Sequence, residues 1–128
     1  MHYAASLLTP LLADGIRVLF YAGVEDAMCS YTGIRALVEE LDNVFKAEYN
    51  AAPVSPYVLL GGKKEVGLVK VAGAQGFTAG NLAFVSVNAA GHMVPTDAPD
   101  VALDLFARWI HNTPLVLSKP ANATAVAA

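Results

Sequence analysis

Several residues and patterns that mark common protein classes are scarce in this chain. One cysteine and three histidines in 128 residues exclude an internal disulfide and give no spacing typical of metal ligands. No lysine-arginine cluster is longer than Lys63-Lys64 and the net charge is −3, so nucleic acid is not an expected partner. No run of about 18 apolar residues escapes interruption, and no membrane span is predicted. The first residues also lack the basic region and sustained apolar core of a signal peptide.

Charged residues are scarce as well. They make up 15% of the chain, whereas hydrophobic residues make up 55% and the mean hydropathy is +0.47. A typical soluble domain carries about 25% charge, but an α/β domain whose strands are covered on both faces is more apolar. We expect one domain over residues 1–115. Residues 116–128, where alanine and small polar residues dominate, are predicted to form a disordered tail.

The hydrophobic pattern predicts alternating strands and helices, which places the chain in the α/β class. Strands are expected at residues 16–22, 66–72 and 82–87, and helices at residues 3–13, 31–41 and 100–112. Glycine-rich turns between the last two strands favour an antiparallel pair at the sheet edge. Residues 46–62 are predicted to be irregular, with a short edge segment at 57–60. The buried side of the last helix is expected to carry Val101, Leu105, Phe106, Trp109 and Ile110.

Two polar residues follow predicted strands where α/β folds keep their catalytic groups. The first strand ends at Gly23 and is followed by Asp26, and the last strand is followed by His92. The carboxyl ends of such strands carry ligand and catalytic sites, and imidazole can take and return a proton near neutral pH. An acid followed by a histidine is the order of the last two members of the α/β-hydrolase triad. The residues alone also allow a structural loop histidine and an aspartate that caps the next helix.

The segments around these residues carry motifs. They read Tyr21-Ala22-Gly23-Val24-Glu25-Asp26-Ala27-Met28-Cys29 and Ala90-Gly91-His92-Met93-Val94-Pro95-Thr96-Asp97-Ala98-Pro99. Both resemble the serine carboxypeptidases, α/β-hydrolase peptidases that remove residues from peptide C-termini. The resemblance extends over roughly residues 7–114 and implies the C-terminal part of an α/β-hydrolase fold, with an incomplete sheet flanked by helices. The family usually has a second aspartate where this chain has Val24.

The resemblance assigns a role to four residues. Asp26 would be the triad acid and His92 the triad base, with the carboxylate orienting the imidazole. Cys29 and Met93 would line the pocket for the substrate side chain next to the cleaved bond. For Cys29 the alternative is an inert buried thiol, and for Met93 it is a residue that fills the core. No metal and no cofactor are implied.

The nucleophile of the triad is missing from these 128 residues. None of the serines has glycines two positions before and two after it, as in the Gly-x-Ser-x-Gly elbow. The family's glycine-rich oxyanion segment and the acidic residues that hold the substrate carboxylate are missing too. We therefore expect that this chain alone is inactive and that it needs the missing N-terminal part of the same domain.

The predicted function is that of a serine-type carboxypeptidase acting on peptide C-termini. The resemblance implies that the full-length protein is secreted or lysosomal/vacuolar. Two alternatives remain open. Some plant relatives are acyltransferases, in which an alcohol accepts the acyl group instead of water. The chain could also be a catalytically inactive truncated product that acts only by binding, through the strand edge left by the missing sheet.

Overall fold

The computed structural model describes residues 6–25, 31–73 and 78–116. The helices in these ranges are α1 (Leu8–Ala13), α2 (Tyr31–Glu40), α3 (Lys46–Ala51), α4 (Val94–Asp97) and α5 (Pro99–Ile110). The strands are β1 (Val18–Gly23), β2 (Ser55–Val58), β3 (Glu65–Ala72) and β4 (Leu82–Val87).

Within the described residues, the strands form one mixed sheet in the order β1-β4-β3-β2. β1 and β4 are parallel, in a register that runs from Val18 opposite Leu82 to Gly23 opposite Val87. β3 is antiparallel to both β4 and β2. Helices pack on both faces of this sheet, which confirms the predicted α/β class.

β4 lies inside the sheet and is buried along its whole length. On one face, Val85 packs into a core that also contains Leu105 of α5. On the other face, Phe84 packs into a second core with Val38 of α2. Burial of such a side chain stabilises the fold by about 1.5–3 kcal/mol. The largely apolar sequence of β4, in which Ser86 is the one polar residue, therefore follows from its being covered on both faces.

The strand pair β3–β4 is antiparallel, as predicted, but its predicted place at the sheet edge is wrong. β2 covers the outer side of β3, and β1 covers the outer side of β4. The short edge segment expected at 57–60 is β2, which begins two residues earlier. Its register with β3 shifts between Tyr57 and Val58, an irregularity that obscures the two-residue alternation of a strand.

The prediction that residues 46–62 are irregular is wrong for residues 46–51, which form α3. Just before α3, the side chain of Asn43 accepts a hydrogen bond from the Phe45 amide at 2.7 Å. Tyr49, at 1% exposure, anchors the helix in the second core. A helix of six residues is too short to display a hydrophobic period, and its stability comes from packing.

The predicted buried side of α5 is partly wrong. Val101 and Leu105 are buried as expected, but Phe106 is 36% exposed and Ile110 is 71% exposed. Arg108 takes the buried position instead, at 2% exposure. Positions 101, 105 and 108 share one face of a helix of 3.6 residues per turn, and positions 106 and 110 belong to the neighbouring face.

Some predictions fall on residues outside the described ranges. They are the first residues of the helix expected at 3–13 and the tail from residue 117 onward. α1 forms the second half of that expected helix. Leu115 is buried and Val116 packs against the same core. The division into a domain over 1–115 and a disordered tail stays a prediction.

Candidate active site at the carboxyl ends of β1 and β4

The carboxyl ends of β1 and β4 lie side by side because the two strands are parallel and in register. Beyond the last pair of the ladder, the amide of Val24 donates a hydrogen bond to the carbonyl oxygen of Val87 at 3.0 Å. The amide of Glu25 then donates to the carbonyl oxygen of Ala90 at 2.9 Å. The two segments therefore stay in contact after both strands have ended, as far as Glu25 in one and Ala90 in the other.

Gly23 makes this contact possible. A Cβ atom at Gly23 would lie 2.5 Å from the carbonyl carbon of Ala90 and would also overlap the carbonyl oxygens of Ala90 and Gly91. Since these are backbone atoms, they cannot move aside as a flexible side chain would. The end of β1 is therefore packed directly against the backbone of the loop that carries His92.

The loop between β4 and α4 holds His92 at the surface between two buried anchors. Ala90 before it is 1% exposed and Val94 after it is 2% exposed. His92 itself is exposed. Ala89 adopts a positive φ of 55°, which is uncommon for a residue with a Cβ and turns the chain sharply after β4. The imidazole is thus presented to solvent from a backbone whose flanking residues are fixed in the core.

The structure places two of the four predicted site residues. His92 lies on the loop just after β4, as the sequence predicts. Met93 is 59% exposed, so it does not fill the core that the described residues form. Asp26 and Cys29 lie outside the described residues, and Glu25, next to Asp26, is the last described residue before them. Glu25 itself contacts the His92 loop, through its hydrogen bond to Ala90.

Asp97 is a site residue that the sequence analysis did not single out. Its carboxylate accepts a hydrogen bond from the amide of Gly91 at 2.9 Å, directly beside His92. The only sequence signal is its position inside the motif that follows the last strand.

A buried polar network ties α5 to the far edge of the sheet and was also missed. The hydroxyl of Tyr57 donates to Asp104 at 2.6 Å, and Nε of Arg108 lies 3.2 Å from the same carboxylate oxygen. Burial, followed by the hydrogen bond with Asp104, raises the pKa of Tyr57 above its ordinary value. Arg108 also donates to the carbonyl oxygen of Val58 in β2 and, at 3.3 Å, to that of Leu115. The four-residue spacing of Asp104 and Arg108 could have indicated an ion pair on a helix.

Two absences concern only the residues that the structure describes. No group of three or more His, Cys, Asp or Glu side chains there could hold a metal ion. None of the described helices is both long and apolar enough to cross a membrane.

Comparison with known proteins decides the family. The family model for serine carboxypeptidases matches residues 1–112. The chain belongs to the serine carboxypeptidase family. It is 41% identical over 104 residues to carboxypeptidase Y homolog A of Chaetomium globosum, covering 81% of this chain and 18% of the relative. It is 39% identical over 103 residues to serine carboxypeptidase-like 49 of Arabidopsis thaliana, covering 80% of this chain and 18% of the relative.

A solved structure shares the fold of this serine carboxypeptidase family member. The crystal structure of Kex1Δp, a prohormone-processing carboxypeptidase from Saccharomyces cerevisiae, matches with a TM-score of 0.68 at 24% identity. The match covers 88% of this chain and 25% of that structure. It confirms the predicted α/β-hydrolase fold. The chain spans about a fifth of the length of the curated relatives it matches.

Proposed function

We propose that this chain carries the acid and the base of a serine-type carboxypeptidase, with Asp26 as the triad acid and His92 as the triad base. The observation that supports the proposal most is the hydrogen bond from the Glu25 amide to the Ala90 carbonyl. It ties the residue before Asp26 to a residue two positions before His92. Membership of the family and the exposed position of His92 point the same way.

In this proposal the carboxylate of Asp26 accepts a hydrogen bond from one imidazole nitrogen of His92 and stabilises the imidazolium that forms during the reaction. The other nitrogen takes the proton of a serine hydroxyl as the serine attacks the scissile carbonyl. It then returns the proton to the leaving amine, and water resolves the acyl-enzyme in the same way. The serine would come from an N-terminal part of the same domain, because these 128 residues hold no glycine-flanked serine elbow.

The substrates would be peptides with a free C-terminus. Met93, exposed beside His92, would contact the substrate side chain next to the cleaved bond, together with Cys29. The full-length protein would work outside the cell or in a lysosomal or vacuolar compartment, which is the expectation from the family.

The proposal can be tested in a chimera. The segment of the Chaetomium globosum relative that aligns with this chain is replaced by residues of this chain, and release of the C-terminal amino acid is measured on free and C-terminally amidated peptides. We expect hydrolysis of the free peptide only. His92→Ala should lower kcat by at least about 10³-fold, because a triad without its base keeps only binding and oxyanion stabilisation.

His111→Ala is the matched control. His111 is exposed just after α5, where its Nδ1 lies 2.9 Å from the carbonyl oxygen of Ala107, and its replacement should leave kcat unchanged. The unmodified relative provides the reference activity. A folded chimera that does not hydrolyse the peptide, or one whose activity survives His92→Ala, would contradict the proposal. Transfer of the acyl group to an added alcohol in preference to water would instead support an acyltransferase.

A further inference from the structure

Asp97 makes hydrogen bonds to the residues on both sides of His92. Its carboxylate accepts from the amide of Gly91, the residue before His92, at 2.9 Å. Its own amide donates to the carbonyl oxygen of Met93, the residue after His92, at 2.9 Å. The side chain and the backbone of one residue thus hold the two peptide neighbours of the histidine at a fixed separation.

Further contacts to the segment before His92 come from the end of β1. Glu25 donates to the carbonyl oxygen of Ala90, and Gly23 packs against the same peptide. Gly91 also lies close to the Asp97 carboxylate, since a Cβ atom there would be 3.4 Å from Oδ2. The strand end of β1 and the side chain of Asp97 therefore clamp the segment before His92 from two directions.

We propose that Asp97 is a positioning residue for His92, an assignment that rests on the proposed function. An exposed loop residue keeps about 1–2 kcal/mol of backbone entropy unless other contacts fix it. His92 is exposed and gains nothing from burial of its own. The hydrogen bonds to Gly91 and Met93 fix the backbone on both sides of His92 instead. The imidazole is therefore carried on a fixed backbone before a substrate arrives.

The chemistry needed from Asp97 is that of a hydrogen-bond acceptor. The Gly91 amide requires an oxygen at the end of a short side chain, and an asparagine can supply one through its amide oxygen. Alanine cannot. The proposal therefore predicts that Asp97→Ala and Asp97→Asn behave differently, although both remove the charge.

The first test uses the chimera described above. A displacement of about 1 Å at a catalytic group costs about 10²-fold in rate, so Asp97→Ala should lower kcat by about 10- to 100-fold with KM unchanged within about twofold. Asp97→Asn should restore kcat to within about threefold. Asp100→Ala is the control, because the carboxylate of Asp100 accepts a hydrogen bond from the next amide, that of Val101 at 2.9 Å, within α5, and kcat should not change.

The second test uses the 128-residue chain and does not depend on activity. In nuclear magnetic resonance spectra, Asp97→Ala should shift the Gly91 amide proton upfield, speed its exchange and lower the backbone order parameter of His92. Asp97→Asn should change these signals much less. Thermal unfolding of each variant shows whether the fold is intact.

The outcomes separate the two proposals. A rise in KM with kcat unchanged, or equal losses in Asp97→Ala and Asp97→Asn, would overturn the positioning role. So would a Gly91 amide that does not respond to Asp97→Ala. A native-sequence chimera without activity, together with the expected spectral changes, would overturn the proposed function and support the position of Asp97 as the clamp of this loop.

Discussion

The amide of Glu25 donates a hydrogen bond of 2.9 Å to the carbonyl oxygen of Ala90, although 64 residues separate the two along the chain. This bond extends the contact between β1 and β4 beyond the end of the ladder. It places the segment that leads into Asp26 against the segment that leads into His92. The proposed acid–base pair depends on this one backbone contact and on the close packing beneath it at Gly23.

Gly23→Ala should destabilise the chain, because the added methyl group would overlap the backbone carbonyls of Ala90 and Gly91. Overpacking of this kind costs about 1–3 kcal/mol, and the loss should appear as a lower midpoint of urea denaturation. Gly33→Ala in α2 is the matched control. It meets no atom within 4 Å and should stabilise the chain by about 0.5–1 kcal/mol. Equal effects of the two substitutions would argue against the close approach at Gly23.

Arg108→Met should be among the most destabilising single substitutions in the described core. It leaves the Asp104 carboxylate without its cationic partner, and it removes donors to the carbonyl oxygens of Val58 and Leu115. Breaking a buried ion pair on one side costs about 3–5 kcal/mol, measured as the free energy of unfolding in urea.

Arg35→Met is the control for Arg108→Met. Arg35 also pairs with a carboxylate four residues away, Glu39 at 3.4 Å, but its side chain is 56% exposed. An exposed pair of this kind contributes only about 0.3–0.5 kcal/mol. Similar losses for the two variants would show that the Arg108 network is not a buried one.

The two buried tyrosines should respond in opposite directions to replacement by phenylalanine. The hydroxyl of Tyr57 donates to Asp104, and its loss should cost about 2 kcal/mol, since hydrogen bonds to charged groups contribute about 1.5–3 kcal/mol. The hydroxyl of Tyr49 is buried and has no hydrogen-bond partner among the residues that the structure describes. Tyr49→Phe should therefore be neutral or stabilise the chain by up to about 1 kcal/mol. Urea denaturation at pH 7 measures both changes. Destabilisation by Tyr49→Phe would show that the Tyr49 hydroxyl makes a stabilising hydrogen bond.

The same tyrosines predict a loss of stability at alkaline pH. Burial is the main cause that raises the pKa of both hydroxyls above the value of about 10 found in unfolded chains. The unfolded chain therefore ionises first, so the stabilisation is present below about pH 10 and is lost as the pH rises further. The free energy of unfolding should begin to fall at about pH 10, roughly the pKa of tyrosine in unfolded chains, and should continue to fall at higher pH. Tyr49→Phe should make the decline less steep.

The sequence predicts the parts of this fold that have a long periodic or continuous pattern. The strand at 82–87 agrees with β4 in both ends, and the helix expected at 31–41 agrees with α2 to within one residue. α3 was missed because six residues are shorter than two turns of a helix and show no period. The order of the strands could not be predicted from the hydrophobic pattern either, because β2 is short and its pairing with β3 is irregular.

The candidate site divides in the same way. His92 could be predicted because an unusual motif follows a buried strand, and its placement on a loop at the carboxyl edge of the sheet agrees with the structure. Asp97 and Gly23 could not be assigned a role, because each acts on the backbone of a neighbouring segment. Every residue except proline offers the same backbone donor and acceptor, so the identity of two residues does not reveal a backbone contact between them.

The linear order of residues determined the α/β class, the buried strand at residues 82–87 and the motifs that contain Asp26 and His92, because each of these is recorded in neighbouring side chains. Tertiary structure alone decided that Glu25 meets Ala90, that Arg108 is buried and that Asp97 clamps the loop of the histidine. These are contacts between atoms distant along the chain or between side chain and backbone. Their free energy depends on distance and burial, which exist only once the sheet has formed.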